Sequence, residues 1–258
     1  MWIVTRLILG VIPRHTLDLL KVISEPLADS GFYLAGGTAL ALRLGHRVSV
    51  DLDFFTSLEF DPEAELSKLE EIVGEGALIL QRTKGSACLT LQKTKVELPG
   101  YRYSLLSPVE LHEGVALASL PDNVAMKLSA LVGRGSKKDF VDIAALLKRH
   151  SLEEMLGWFS RKFPNAETFM VLKSLAWFDD AEEEPDPVFF ERADLGRGEK
   201  SGAGGYARIP LITLAGSTPV RRMSRPWNFL EKRWWSMPRR WRRVAWKSRT
   251  WTMSLTAL

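Results

Sequence analysis

The chain has 258 residues, 46% of them hydrophobic, with 35 Lys+Arg against 31 Asp+Glu and one cysteine, Cys88. That length allows a real core in one large domain or two small ones, and a lone cysteine excludes an intrachain disulfide or a cysteine-rich zinc site, in keeping with a reducing, cytoplasmic setting. Charge is unevenly divided: residues 197–258 hold 14 basic and 2 acidic residues, whereas residues 1–196 hold 21 and 29, which excludes the larger part as a general polyanion-binding surface.

The opening "MWIVTRLILGVIP" is apolar, but Arg6 interrupts it. It is too short to span a bilayer and lacks the basic start of a signal peptide, so a first core strand or helix is expected. Residues 14–30 place Leu17, Leu20, Val22, Ile23 and Leu27 at roughly helical spacing. After Gly31, "FYLA" suits a buried strand. Thr38 to Leu44 reads as an Ala- and Leu-rich helix closed by Gly45, and "RVSVDLDFF" as a second strand. "DPEAELSKLEEIV" predicts a helix with Asp61 as N-cap and proline at its first position. "ALILQRT", "SACLTLQ" and "TKVELPGY" read as strands. Beyond Pro108 the pattern turns helical: "NVAMKLSALVG" capped by Asp122, then "KKDFVDIAALLKRH", "SLEEMLGWFSRKF" and "AETFMVLKSLAWF". The resulting organisation is an α/β domain over 1–107, a helical domain over 108–196, and a tail over 197–258, with no internal repeat.

Chemistry concentrates in "AGGTALALRLGHRVSVDLDFF", residues 35–55. On a strand, alternation puts Val48, Val50 and Leu52 on one face and Ser49, Asp51 and Asp53 on the other. Two carboxylates so close repel unless a cation lies between them, and Mg²⁺ takes such hard oxygen ligands. Gly36 and Gly37 lie between a strand and a helix start, where free backbone N–H groups and the positive end of the helix dipole suit a phosphate. Thr38 is placed to cap that helix or to bind phosphate through its hydroxyl. Either half alone is also met in ordinary proteins, as a tight turn or a solvated strand face; the conjunction in this order of elements points to a phosphate cradle beside a metal site.

These residues resemble the signature of the DNA polymerase β-like nucleotidyltransferase superfamily, and within it the AbiEii/AbiGii toxin family of abortive-infection toxin–antitoxin systems. The resemblance covers about residues 14–190. It is carried by Gly36, Gly37, Thr38, Arg47, Asp51 and Asp53, then by Lys127 in "MKLSAL", Arg134, and Lys138, Asp139 and Asp142 in "KKDFVDI". It implies an α+β fold, with a polymerase β-like core of mixed sheet and helices followed by a helical domain. It also implies an enzyme: an Mg²⁺- or Mn²⁺-dependent transfer of a nucleotidyl group from an NTP, with pyrophosphate leaving. The acceptor implied is RNA, particularly tRNA, and a nearby antitoxin protein is the implied partner. Transfer to a small molecule or a protein, or NTP binding without turnover on the same scaffold, are the alternatives.

Under this resemblance Asp51 and Asp53 hold the metal. Glu97 is the best-placed third carboxylate, because in "KTKVELPGY" Lys95 and Glu97 share one face and Val96 and Leu98 the other. Gly36, Gly37 and Thr38 grip the β/γ-phosphates, and Lys127, Arg134 and Lys138 meet the triphosphate as cations. Arg47 serves the nucleotide or pairs with Asp51 or Asp53. Asp139 and Asp142, three apart on one helix face, orient Lys127 or Lys138 or assist proton transfer. His46 reads as a turn residue near the phosphates.

The tail is of another kind. Six of the nine tryptophans (Trp227, Trp234, Trp235, Trp241, Trp246 and Trp251) lie among arginines in its last 32 residues. Such a composition suits RNA or membrane surfaces. It also suits a frameshifted end, since "LGRGEKSGAGGY" has an encoding that yields a helix-like sequence when read one base later. The expectation is a disordered or non-native segment.

Overall fold

The computed structural model describes residues 6–74, 77–177 and 179–190. The expectation for the tail, and residues 1–5 of the apolar opening, lie outside the described residues. Of that opening, Leu9–Val11 form a short 3-10 helix, neither strand nor α-helix. Ile8 N donates to Leu42 O at 2.8 Å, which ties the segment to a later helix instead of to a sheet.

Helix α1 (Arg14–Asp29) leads into strand β1 (Tyr33–Ala35), and helix α2 (Gly36–Leu44) follows without a break. Gly45 closes α2 in the left-handed conformation, φ 65°. Strand β2 (Leu52–Phe55) precedes α3 (Pro62–Val73), whose Asp61 cap accepts from Glu63 N at 3.0 Å. Strands β3 (Leu78–Thr83), β4 (Ser86–Leu91) and β5 (Thr94–Pro99) form a meander. A hairpin, β6 (Glu110–His112) and β7 (Val115–Leu117), comes before helices α4 (Leu120–Gly133), α5 (Lys137–Leu147), α6 (Leu152–Lys162), α7 (Thr168–Leu175) and α8 (Asp179–Glu182).

The seven strands form one mixed sheet in the order β3-β4-β5-β2-β1-β7-β6. β2 runs antiparallel to β1 and parallel to β5, and β1 runs parallel to β7. The fold is therefore α+β, a mixed sheet with helices. Apolar residues of α1 and α3, among them Leu19, Ile23, Leu27, Leu66 and Leu69, cover one face and bury Leu52, Phe54, Leu89, Val96 and Leu98. α4 lies toward the other face, where Met126 joins Tyr33, Ala35, Ala116 and Ala118.

Three expectations need correction. The sheet runs past 107: residues 110–117, read as part of a helical region, are the β6–β7 hairpin, and Gly114 at φ 84° makes its turn. Helix α4 begins at Leu120 and is capped by Ser119, not by Asp122, because Pro121 fits the first turn. Strand β2 begins only at Leu52. Val48 N donates to Val188 O and Ser49 N to Val11 O, both outside the sheet. The expected faces are consequently reversed there: Ser49 is buried and Val50 is 45% exposed.

Candidate active site

Two glycines set the geometry. Gly36 has φ 68°, and a Cβ there would stand 2.6 Å from Asp53 Oδ2. Backbone conformation and the nearness of a carboxylate thus demand glycine independently. A Cβ at Gly37 would stand 2.4 Å from Arg47 Nη2. Gly36 N is held by Asn123 Oδ1 of α4 at 2.9 Å. The turn is clamped between the acid on β2, a guanidinium and α4, with the amides that begin α2 free of intrahelical acceptors by the geometry of any helix start.

Across the sheet the register lines up Ala35, Asp53, Glu97, Cys88 and Gln81 on successive strands. Glu97 is therefore the direct neighbour of Asp53, on the face expected from alternation. Burial, then the charges of Glu97 and Asp51, push Asp53 up to about 6, against the pull of Lys127 and Arg134. Burial raises Cys88 as well. Among the described residues no three of His, Cys, Asp and Glu converge as a ready-made metal site. Glu97 Oε1 instead pairs with Lys95 Nζ. The donor set nonetheless fits a hard divalent cation: it is all carboxylate oxygen, and the charges of Glu97 and Asp51 add to burial in raising Asp53.

Beneath the turn lies a second set of charges, centred on two fully buried carboxylates. Asp142, 0% exposed, accepts from Arg47 Nε at 2.6 Å and Nη2 at 3.0 Å, and pairs with Lys127 Nζ at 2.8 Å. His46 Nε2 lies 2.6 Å from the same carboxylate. Asp139 accepts from Lys127 Nζ at 2.9 Å, Arg134 Nε at 2.9 Å and Ser136 Oγ at 2.8 Å. Burial opposes ionisation of both acids, but it is outweighed. The hydrogen bonds and charges of Arg134 and Lys127 hold Asp139 down at about 2. The charge of Lys127 and the hydrogen bonds of His46 and Arg47 hold Asp142 well below the usual range.

The expected residues thus divide. Gly36, Gly37, Asp51, Asp53 and Glu97 come together at the turn and the paired strands. Arg47 lies under the turn and pairs with Asp142, not with Asp51 or Asp53. Thr38 neither caps α2 nor faces outward: it is 1% exposed, its hydroxyl donates to the Asp51 carbonyl, and it lies 2.8 Å from Ser49 Oγ. It fixes the backbone that carries Asp51. Asp139 orients Lys127 and Arg134, and an acid held at about 2 is a poor proton carrier near neutrality. His46 belongs to the Asp142 cluster. Lys138 is exposed on α5, and among the described residues no ion pair joins it to the site. Sequence reasoning missed Asn123, whose signal is faint: an asparagine one turn before Lys127 on a mostly apolar helix.

Comparison with known proteins gives this arrangement a context. Residues 18–198 match the model of a family described as nucleotidyl transferase AbiEii toxin, type IV TA system. The Aquifex aeolicus (strain VF5) protein aq_aa25 is 37% identical over 173 residues, covering 64% of this chain and 81% of that protein. Two solved structures are similar at low identity. JHP933 from Helicobacter pylori has 19% identity and a TM-score of 0.44, over 63% of this chain and 90% of its own. MenT4, a nucleotidyltransferase toxin from Mycobacterium tuberculosis H37Rv, has 16% identity and a TM-score of 0.39, over 72% and 75%.

Proposed function

Because the chain belongs to the nucleotidyl transferase AbiEii toxin family, we propose that it transfers a nucleoside monophosphate from an NTP to RNA, in particular tRNA, with Mg²⁺ or Mn²⁺ held by Asp51, Asp53 and Glu97. The observation that carries this reading is the register of β2 on β5, which sets Asp53 beside Glu97 and against the Gly36 turn. A divalent cation bound there supplies charge to orient the triphosphate and to offset the negative charge that develops on attacking and leaving oxygens.

The chain's own residues do the rest. The amides that begin α2 after Gly36, whose own N–H is held by Asn123, receive β/γ-phosphate oxygens at the Gly36-Gly37-Thr38 turn. Arg134, whose side chain is 67% exposed, reaches the triphosphate while Asp139 holds its guanidinium plane. Lys127, committed to Asp139 and Asp142, acts on phosphate through its field more than by contact. Lys138 meets the phosphates from the solvent side. Thr38 and Arg47 serve as positioning residues, the first for Asp51 and the second for the turn. An antitoxin encoded beside the gene is the expected partner. Among the described residues no helix is long and apolar enough to cross a membrane.

Incubation with α-labelled NTPs, Mg²⁺ and cell extract tests the proposal. Label is expected in the RNA fraction and pyrophosphate in the medium, and Asp51→Ala is expected to remove both together with growth inhibition. Label in protein or small metabolites moves the acceptor without moving the chemistry. Unchanged toxicity in Asp51→Ala contradicts the proposal.

A further inference from the structure

Three carboxylates on or just before paired strands need a positive charge even before a metal arrives. Among the described residues the acids Asp51, Asp53 and Glu97 make one ion pair between them, Glu97 with Lys95. The other nearby cations are spoken for: Lys127 holds Asp139 and Asp142, and Arg134 holds Asp139. Lys95 sits two residues before Glu97 on β5, hence on the same face of the sheet and about 7 Å along the strand, a gap that Lys and Glu side chains close. Asp51 lies one residue before the β2–β5 ladder, whose parallel register pairs Leu52 with Val96 and Asp53 with Glu97.

We propose that Lys95 is an internal counter-cation of the acid row, competing with the divalent metal for Glu97 and so setting how much metal the protein needs. The inference rests on the metal site of the proposed function. A cation entering between Asp51, Asp53 and Glu97 must draw Glu97 from Lys95 and also tolerate the ammonium beside it. Lys95 and Glu97 side chains are 44% and 39% exposed. Solvent therefore screens the pair, and the competition amounts to a modest factor rather than an exclusion.

Mn²⁺ binding to the full chain without nucleotide, followed by electron paramagnetic resonance, reads this directly. Lys95→Met is expected to tighten Mn²⁺ binding about three- to tenfold, a range set by the strength of half-exposed ion pairs. Lys95→Arg is expected to stay within about twofold of wild type, since it keeps the charge. Lys93→Met, an exposed lysine in the β4–β5 turn, controls for loss of charge alone and is expected to leave binding unchanged. If Lys95→Met does not fold, Lys95→Gln carries the same expectation. Equal affinity in wild type and Lys95→Met, or equal tightening in Lys93→Met, overturns the role of Lys95. In both cases loss of binding in Asp53→Asn still upholds the metal site. Absence of Mn²⁺ binding in every variant overturns both.

Discussion

The molecule holds two clusters of paired carboxylates within one site, and they are opposites. Asp139 and Asp142 are fully buried, ringed by Arg47, Lys127, Arg134 and His46, and held well below the ordinary carboxylate range. Asp53 is pushed up instead, by burial first and then by the charges of its neighbours Glu97 and Asp51. The carboxylates of the first cluster are fully paired and have no capacity left for a metal, so their work is to fix α5 and α4 against the turn and to hold Arg134 in place. The second is short of positive charge, which is the condition under which carboxylates take a metal. Acidic residue type is the same in both; what separates structure from chemistry is whether the protein supplies the counter-charges.

The sharpest way to break this contrast is to remove a partner from the saturated cluster. Asp142→Asn leaves Arg47 and Lys127 buried with a carboxylate too few and is expected to destabilise the fold by about 3 kcal/mol or more, measured by urea unfolding. A near-neutral result would mean that the cluster is not structural. Thr38→Val tests the link between turn and acids. It keeps the shape but removes the donor to the Asp51 carbonyl, for an expected loss of about 1–2 kcal/mol in stability and roughly tenfold in turnover. Turnover unaffected by this change would free Asp51 from any dependence on Thr38.

The smallest effect concerns pH, and the two clusters respond with opposite signs. The pKa of Asp139 is lowered in the fold, so its stabilisation is present above the unfolded value near 4 and is lost as pH falls through about 2. The pKa of Asp53 is raised, so the stability linked to its protonated form is present below the unfolded value and is lost as pH rises through about 6. Since the metal needs the ionised form, Mn²⁺ affinity is expected to fall about fourfold between pH 7 and pH 5.5. A flat profile over that range would place Asp53 outside the metal site.

Much of this was legible in the chain itself. Helical spacing, the Asp61-Pro62 start and the Gly45 stop located elements within a residue or two, because local backbone preference and one apolar face sufficed. Alternation in "TKVELP" put Glu97 on the right face, since β5 is a regular strand with a partner on each side. The same rule failed at Ser49 and Val50, where the chain is held by Val11 and Val188 from distant parts of the sequence. The β6–β7 hairpin has only three residues per strand, too few for a period to show. Nor could spacing reveal that Arg47 turns to Asp142, 95 residues away, instead of to the acids beside it.

Pyrophosphate release from NTP in the presence of Mg²⁺ and tRNA, comparing wild type with Asp53→Asn, tests the central claim most directly. The account predicts that the variant loses at least about a thousandfold in rate, from the loss of a metal-held charge, while its unfolding midpoint is kept or raised. Turnover preserved in a folded Asp53→Asn protein would contradict it.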